Sequence, residues 1–305
     1  MSAPSQGAAA SIRRLVVFGV GLIGGSFALA LKAAGVVEHV VGVSRSAVSA
    51  QAALERGIVD EIAVDAQAVR GADYVFVATP VGQMRAVFSA VLPYLDANVV
   101  VTDGGSTKQD VVAMARAVFG ARIGQFVPGH PIAGAEKSGP SAAQGALYQG
   151  RKVILTPLAE NPAATVARVN AAWLTCGARV FRMAPDEHDR VLAMISHLPH
   201  ALAYALVDQV ITHPQNDLLW QHAAGGFRDF TRIASSHPEM WRDIFVANRE
   251  AVLEAIDGYS RSLASLRDLI ARSDASALEA LFNRSRSERD RWVAEFDAAR
   301  ARSEP

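Results

Sequence analysis

Apolar runs and helical periodicities alternate along the first 184 residues. Leu15-Val16-Val17-Phe18 is a short continuous apolar run that ends in glycines. It leads into Ser26-Phe27-Ala28-Leu29-Ala30-Leu31, which reads as a helix. His39 to Val43, Asp73 to Ala78, Asn98 to Thr102, Lys152 to Thr156 and Arg179 to Arg182 carry the same strand signature. Between them, Ser46 to Arg56 (closed by Gly57), Val81 to Leu92, Gln109 to Phe119 and Pro162 to Leu174 read as helices. Strands that are apolar throughout, separated by helices, describe a parallel sheet covered on both faces. Gln125 to Gly139 is rich in glycine and proline and is expected as a loop across the strand ends. Past Ala184 no strand pattern remains. Asp186 to Ile211 reads as one amphipathic helix interrupted at Pro199, and Trp241 to Asn248 as another. Val252, Ile256, Tyr259, Leu263, Leu266 and Ile270 step by 4, 3, 4, 3 and 4, a heptad seam that calls for a second helix along its length. Asp274 is placed to cap a last helix reaching about Phe296.

The first strand and helix are joined by Gly19-Val20-Gly21-Leu22-Ile23-Gly24, a Gly-x-Gly-x-x-Gly turn. Gly19 permits the tight turn, Gly21 admits a pyrophosphate against the backbone, and Gly24 lets helix and strand pack closely. Free N–H groups at the helix start complete a phosphate site. The expected fold is therefore α/β: a Rossmann-type doubly wound, mainly parallel sheet over residues 12–184, followed by an all-helical second domain over 185–298. Residues 1–11 and 299–305 are expected as tails, the first disordered. The nucleotide contacts fall to Gly19, Gly21, Leu22, Ile23 and Gly24, to Ser44, Arg45 and Ser46 after the second strand, and to Thr79, Pro80, Val81 and Gly104 on the nicotinamide side. An NAD-preferring fold places a carboxylate ~20 residues beyond the fingerprint. Here that strand ends Val43-Ser44-Arg45-Ser46, with no carboxylate until Glu55. A serine does not repel a 2′-phosphate, and an arginine can pair with it, so the pattern predicts NADP, with use of NAD as the alternative.

Composition narrows the class. Thirty basic and thirty acidic residues leave no net charge across 305 residues, so nothing electrostatic points to nucleic acid or an anionic membrane. Arg13-Arg14 before an apolar run resembles a signal or span. The run is shorter than the ~20 residues a span requires, and glycines at fingerprint spacing make a poor signal core. A single cysteine, Cys176, excludes an internal disulfide and fits a reducing cytoplasm. The long seamed helices suggest a homodimer through the second domain, the alternative being packing within one chain.

The chemistry sits in a few stretches. Pro128-Gly129-His130-Pro131 presents a histidine able to take a proton from a substrate hydroxyl near neutral pH; a structural histidine is the alternative. Ser106, in Asp103-Gly104-Gly105-Ser106-Thr107-Lys108, can bond that hydroxyl or that histidine, or simply cap the following helix. His197 and His200 share a helix face, with no further ligands at metal-site spacing, so no metal is expected. Gly225-Gly226-Phe227-Arg228-Asp229-Phe230-Thr231-Arg232 offers two arginines one turn apart, either suited to clamp a carboxylate.

With these residues in this order, the chain resembles the prephenate/arogenate (cyclohexadienyl) dehydrogenase family of tyrosine biosynthesis over about residues 12–297. The stretches that carry the resemblance are the fingerprint, Thr79-Pro80, Asp103 to Lys108, Gly129-His130-Pro131-Ile132-Ala133-Gly134, Ser196 to His200, and Gly225 to Arg232 followed by Trp241-Arg242-Asp243. The resemblance implies oxidative decarboxylation of prephenate to 4-hydroxyphenylpyruvate with hydride transfer to NADP. An arogenate or dual-specificity enzyme is the alternative. It implies that His130 receives the hydroxyl hydrogen bond with Ser106 in support. His200, ahead of His197, would lie near the substrate, and Arg232, ahead of Arg228, would grip a carboxylate. Gly225 and Trp241 are expected beside them, and Glu136 with Asp189 in an ionic cluster at the cleft mouth. No appended regulatory domain is expected beyond the last helix. Two other readings are a 6-phosphogluconate-type hydroxyacid dehydrogenase, which uses a lysine on the helical domain, and a non-catalytic nucleotide sensor. Residues 185–305 contain no lysine.

Overall fold

The computed structural model describes residues 11–134 and 139–301. The expected tail at 1–11 lies almost wholly outside the described residues, and so does Glu136. Six parallel strands make the main sheet: β1 (Ile12–Phe18), β2 (Val37–Val43), β3 (Glu61–Ala63), β4 (Tyr74–Val77), β5 (Val100–Asp103) and β6 (Phe126–Val127). Their order is β3-β2-β1-β4-β5-β6, the doubly wound arrangement read from the sequence. The order reverses between β1 and β4, which opens a crevice beyond their carboxyl ends. Helices α1 (Leu22–Ala33), α2 (Ala47–Glu55), α3 (Val81–Val91), α4 (Gln109–Phe119) and α5 (Ala163–Thr175) flank the sheet. One face buries Phe27, Phe76, Tyr148 and Trp173 as an aromatic cluster; the other buries Phe88, Phe119 and Phe126. Two apolar faces explain why the strands read as unbroken apolar runs.

The stretch expected as a loop at 125–139 holds two strands instead, β6 and β7 (Gly129–Ile132). β7 pairs antiparallel with β8 (Lys152–Leu155), which runs parallel to β9 (Arg179–Arg182). β7 is the edge of this small sheet, the one place where Pro131 can stand in a strand without breaking a ladder. The first of its flanking prolines, Pro128, accepts Thr156 N–H through its carbonyl. β3 also went unread: three half-exposed residues at a sheet edge carry no apolar run.

Past residue 184 the chain is helical among the described residues: α6 (Pro185–Leu192), α7 (Leu198–Ile211), α8 (Asn216–His222), α9 (Gly225–Thr231), α10 (Pro238–Ala247), α11 (Arg249–Ala271) and α12 (Ala275–Ala301). The interruption expected at Pro199 is a π turn over Ala193–His197 within one continuous helical run, directly before Pro199, whose missing N–H takes one donor from the backbone ladder there. Asp274 Oδ1 accepts Ala277 N–H and caps α12 as read. Residue 184 marks where strands end, but compactness divides the chain after Asn248, with α6–α10 in the unit that holds the sheets. The stretch Pro185–Ile211 is long and apolar enough to cross a membrane by length and composition. It carries His188, Asp189 and His197, all buried within the first unit.

Asp103, at the end of β5, joins the two sheets. Its carboxylate accepts the Lys108 ammonium at 2.6 Å, Gly105 N–H at 2.8 Å and, from β7, Gly129 N–H at 3.0 Å. Asp103 and Lys108 are both fully buried. Removing one partner of a buried pair strands the other charge, which destabilises by about 3–5 kcal/mol. Lys108→Met is therefore expected to lower the unfolding free energy by about that amount in urea titrations; a change under about 1 kcal/mol would contradict this joint.

Candidate active site

The fingerprint glycines stand as their spacing demands. Gly19 has φ +91°, and a Cβ there would meet Ala78 O at 2.6 Å. Gly24 leaves no room at all, since a Cβ would fall 2.1 Å from Gly19 O. At Gly21 the nearest atom would be 3.9 Å away, so the space over the α1 N-terminus is open. Gly21 is the N-cap of α1 with no side chain on the first-turn N–H groups, among them those of Leu22 and Ile23. Gly19 N–H bonds Val43 O and Ala78 N–H bonds Phe18 O, which brings the ends of β2 and β4 to the same turn. Ser44, Arg45 and Ser46 follow β2, with Arg45 exposed and Ser46 capping α2. Thr79, Pro80 and Val81 follow β4, and Gly104 follows β5 against Ile23 and Phe76. Thr79 Oγ1 is buried with no partner, a hydroxyl waiting for a polar ligand atom. An open cradle, bare helix N–H groups and an orphaned hydroxyl at the switch point fit a dinucleotide. Asp243 packs over Gly82 at the start of α3, a carboxylate at the positive helix end that steadies this segment.

His130 lies on β7, half-buried, rather than on a loop. Its Nδ1 is 2.9 Å from Nε2 of His188 on α6, and His188 Nδ1 is 2.7 Å from Asp189 Oδ1. Asp189 also accepts Lys108 N–H and Gln109 N–H, each at 2.8 Å, at the start of α4. Asp189 is thus buried behind His130 and not at the cleft mouth. Ser106 is half-buried on the loop after β5, and no hydrogen bond joins it to His130, whose Nδ1 is taken by His188. Burial, with the charges of His188, Lys108 and His197, holds the His130 pKa well below the ordinary imidazole value. Burial also lowers that of His188, against the pull of Asp189. For Asp189 burial acts upward, but the His188 bond and the N–H groups of Gln109 and Lys108 outweigh it and keep the carboxylate ionised.

The two later histidines divide. His197, in the π turn, is fully buried, accepts from Asn248 Nδ2 at Nδ1 (3.1 Å), and is pushed by burial down to about 4. Asn248 Nδ2 also donates to Asp189 O. His200 is half-buried, donates from Nδ1 to Ser196 O at 2.8 Å, and stacks on Trp241 with centroids 3.5 Å apart. Its Nε2 is therefore the free acceptor, and the Arg232 charge, after burial, lowers its pKa. Trp241 is buried beneath this ring and orients it. An open groove of about 620 Å³ is lined by Trp220, Gly225, Phe227, Arg228, Thr231 and Arg232, among others. Arg228 is exposed and pairs with Asp229 at 3.1 Å. Nothing lies within 4 Å of a Cβ built at Gly225 or Gly226, so neither glycine is required by packing. No local pattern marks His188 or Asn248 as site residues, because the partners they hold lie 58 and 51 positions away. Among the described residues no His, Cys, Asp and Glu cluster is arranged to hold a metal.

Comparison with known proteins agrees with this geometry. The family "Prephenate dehydrogenase, nucleotide-binding domain" matches residues 27–182, and "Prephenate dehydrogenase, dimerization domain" matches 184–284. The chain is 39% identical to a prephenate dehydrogenase of Bacillus subtilis (strain 168), over 90% of this chain and 75% of that one. It is 36% identical to a cyclohexadienyl dehydrogenase of Zymomonas mobilis, over 91% and 95%. The crystal structure of prephenate dehydrogenase from A. aeolicus in complex with hydroxyphenyl propionate and NAD+ superposes with a TM-score of 0.87 at 38% identity, covering 92% of this chain and 98% of that one. A six-stranded doubly wound sheet with a glycine cradle, a half-buried histidine on the strand that Asp103 fastens to it and these matches along nearly the whole chain lead to one conclusion: this protein belongs to the prephenate dehydrogenase family of pyridine-nucleotide-dependent oxidoreductases.

Proposed function

We propose that the chain catalyses the oxidative decarboxylation of prephenate to 4-hydroxyphenylpyruvate, with arogenate as the competing substrate. The observation that carries this reading is a neutral His130 whose Nδ1 is occupied, which leaves Nε2 to accept a proton. When bound, the nicotinamide supplies the hydride acceptor. His130 Nε2 takes the proton of the ring hydroxyl as the carbinol carbon becomes a carbonyl, and loss of the ring carboxylate as CO₂ delivers the aromatic ring. In this reading Ser106 bonds the same hydroxyl. Arg232 clamps a substrate carboxylate beside His200, which stands on Trp241. Arg228, tied to Asp229 at the groove rim, contributes charge to the approach. His130→Asn is expected to reduce kcat by about 10²–10⁴-fold with nucleotide affinity retained. Because the unprotonated ring is the working form and its pKa is lowered, the acid limb that His130 gives the wild-type kcat/KM profile should lie below the ordinary histidine range. An unchanged kcat in the variant would remove His130 from the reaction.

The reading for the coenzyme is NADP over NAD. Ser44 Oγ accepts Ser46 N–H and Ser46 Oγ accepts Ser49 N–H, so each hydroxyl keeps its own proton to donate. Arg45 is exposed next to them at the start of α2. A 2′-phosphate gains one or two charged hydrogen bonds there, about 1.5–3 kcal/mol each. Ser44→Asp with Arg45→Ile should shift kcat/KM toward NAD. A wild type that prefers NAD would refute this reading.

The working form is a homodimer in the cytoplasm. α11 and α12 leave Leu253, Tyr259, Leu263, Ile270, Phe282, Trp292 and Phe296 exposed, and α12 buries no described side chain. Two such helices cannot hide their apolar faces on each other alone, which favours a second copy. Light scattering at micromolar concentration should give twice the 32.4 kDa chain mass; an active monomer would show the seam to be internal.

A further inference from the structure

Asp189 is almost fully buried, and its oxygens face only donors: Lys108 N–H, Gln109 N–H and the His188 ring. At the start of α4 it also meets the positive end of the helix dipole. A carboxylate held in this way accepts and does not donate. His188 Nδ1 must therefore carry a proton, and neutral His188 has only a lone pair at Nε2. The contact from His130 Nδ1 to that nitrogen, at 2.9 Å, then requires the proton to sit on His130. Three links, each set by the one before, leave His130 Nε2 bare. Neither His188 nor Asp189 is exposed enough to touch a substrate. Of the other titratable groups near this line, Lys108 and Asp103 are paired with each other at 2.6 Å, His197 is held neutral by burial, and Asp110, whose pKa burial raises, lies close enough to Asp189 to act on its charge.

We infer that His188 and Asp189 are positioning residues that fix His130 in the tautomer with Nδ1 protonated and Nε2 free to receive the substrate hydroxyl proton. The inference rests on the reading of His130 as the proton acceptor. When Nε2 takes the proton, the positive charge forms in line with Asp189, across the His188 ring. An orienting acid behind a catalytic imidazole is most sensitive to a swap that reverses the order of donors. In serine proteases the corresponding Asp→Asn change costs about 10⁴-fold in kcat by stabilising the wrong tautomer.

Asp189→Asn makes that reversal with its amide nitrogen in the place of Oδ1, where it faces His188 Nδ1 and gives up the bond from Lys108 N–H. Its amide can donate to His188 Nδ1, which moves the His188 proton to Nε2 and leaves His130 protonated on its reacting nitrogen. We expect kcat with prephenate to fall by about 10²–10⁴-fold, while prephenate KM and nucleotide Kd change by less than about threefold. His188→Gln keeps a donor for Asp189 and an acceptor for His130 and should retain much more kcat than His188→Leu. A direct reading comes from nitrogen-15 resonances of the His130 ring in histidine-labelled protein, which should report a protonated Nδ1 and a bare Nε2 in wild type and the reverse in Asp189→Asn. A wild-type His130 protonated on Nε2 would overturn the inference. So would an Asp189→Asn enzyme that keeps its kcat, or one that loses nucleotide affinity and melting temperature with the His130 tautomer unchanged. The ring resonances need no substrate, so the two readings fail separately. Wild type that leaves prephenate untouched but shows the expected tautomer removes the substrate reading. Wild type that oxidises prephenate with the opposite tautomer removes the relay.

Discussion

The carboxylate of Asp189 is the constraint on which the site depends. It satisfies the first N–H groups of α4, receives the His188 ring, and through its own backbone carbonyl holds Asn248, which in turn holds His197. One buried residue thereby ties the start of α4, the edge strand β7, helix α6 and the end of α10 into one arrangement. Such a charge is expensive to bury, and it is kept ionised only because every donor around it is in place. The neighbouring Asp103–Lys108 pair works in the same way one layer deeper, fastening β7 to β5. Together they set the depth and direction of His130 more firmly than a surface loop would.

That rigidity serves a division of labour. The glycine cradle and the ends of β1, β2 and β4 hold a dinucleotide through backbone groups, where side chains would only intrude. The imidazole stands on a separate small sheet, beyond the same crevice. His200 and Arg232 approach from helices, with Trp241 as the fixed floor. In the proposed reaction, sheet, small sheet and helices each supply one part.

Much of this is legible in the residues themselves. The strands of the main sheet announce themselves because they are apolar on both faces, and the fingerprint because each glycine answers a different steric demand. Gln109–Phe119 and Arg179–Arg182 fall where their patterns place them. The misreadings have physical causes. Prolines around His130 look like a loop, yet an edge strand tolerates them. Pro199 looks like a helix break, yet the break is the π turn before it. Asp189 looks like a surface acid, because nothing local reveals that α4 and His188 enclose it. His130 shows no sign in the sequence of its Nδ1 partner, because His188 lies 58 positions away. These contacts join positions tens of residues apart, and no local period records them.

The most direct test of the account is product stoichiometry with the purified protein. Prephenate should yield reduced nucleotide, CO₂ and 4-hydroxyphenylpyruvate in equal amounts, at a higher kcat/KM than arogenate yields its own products. Reduced nucleotide without CO₂, or no turnover of either cyclohexadienyl acid, would contradict it.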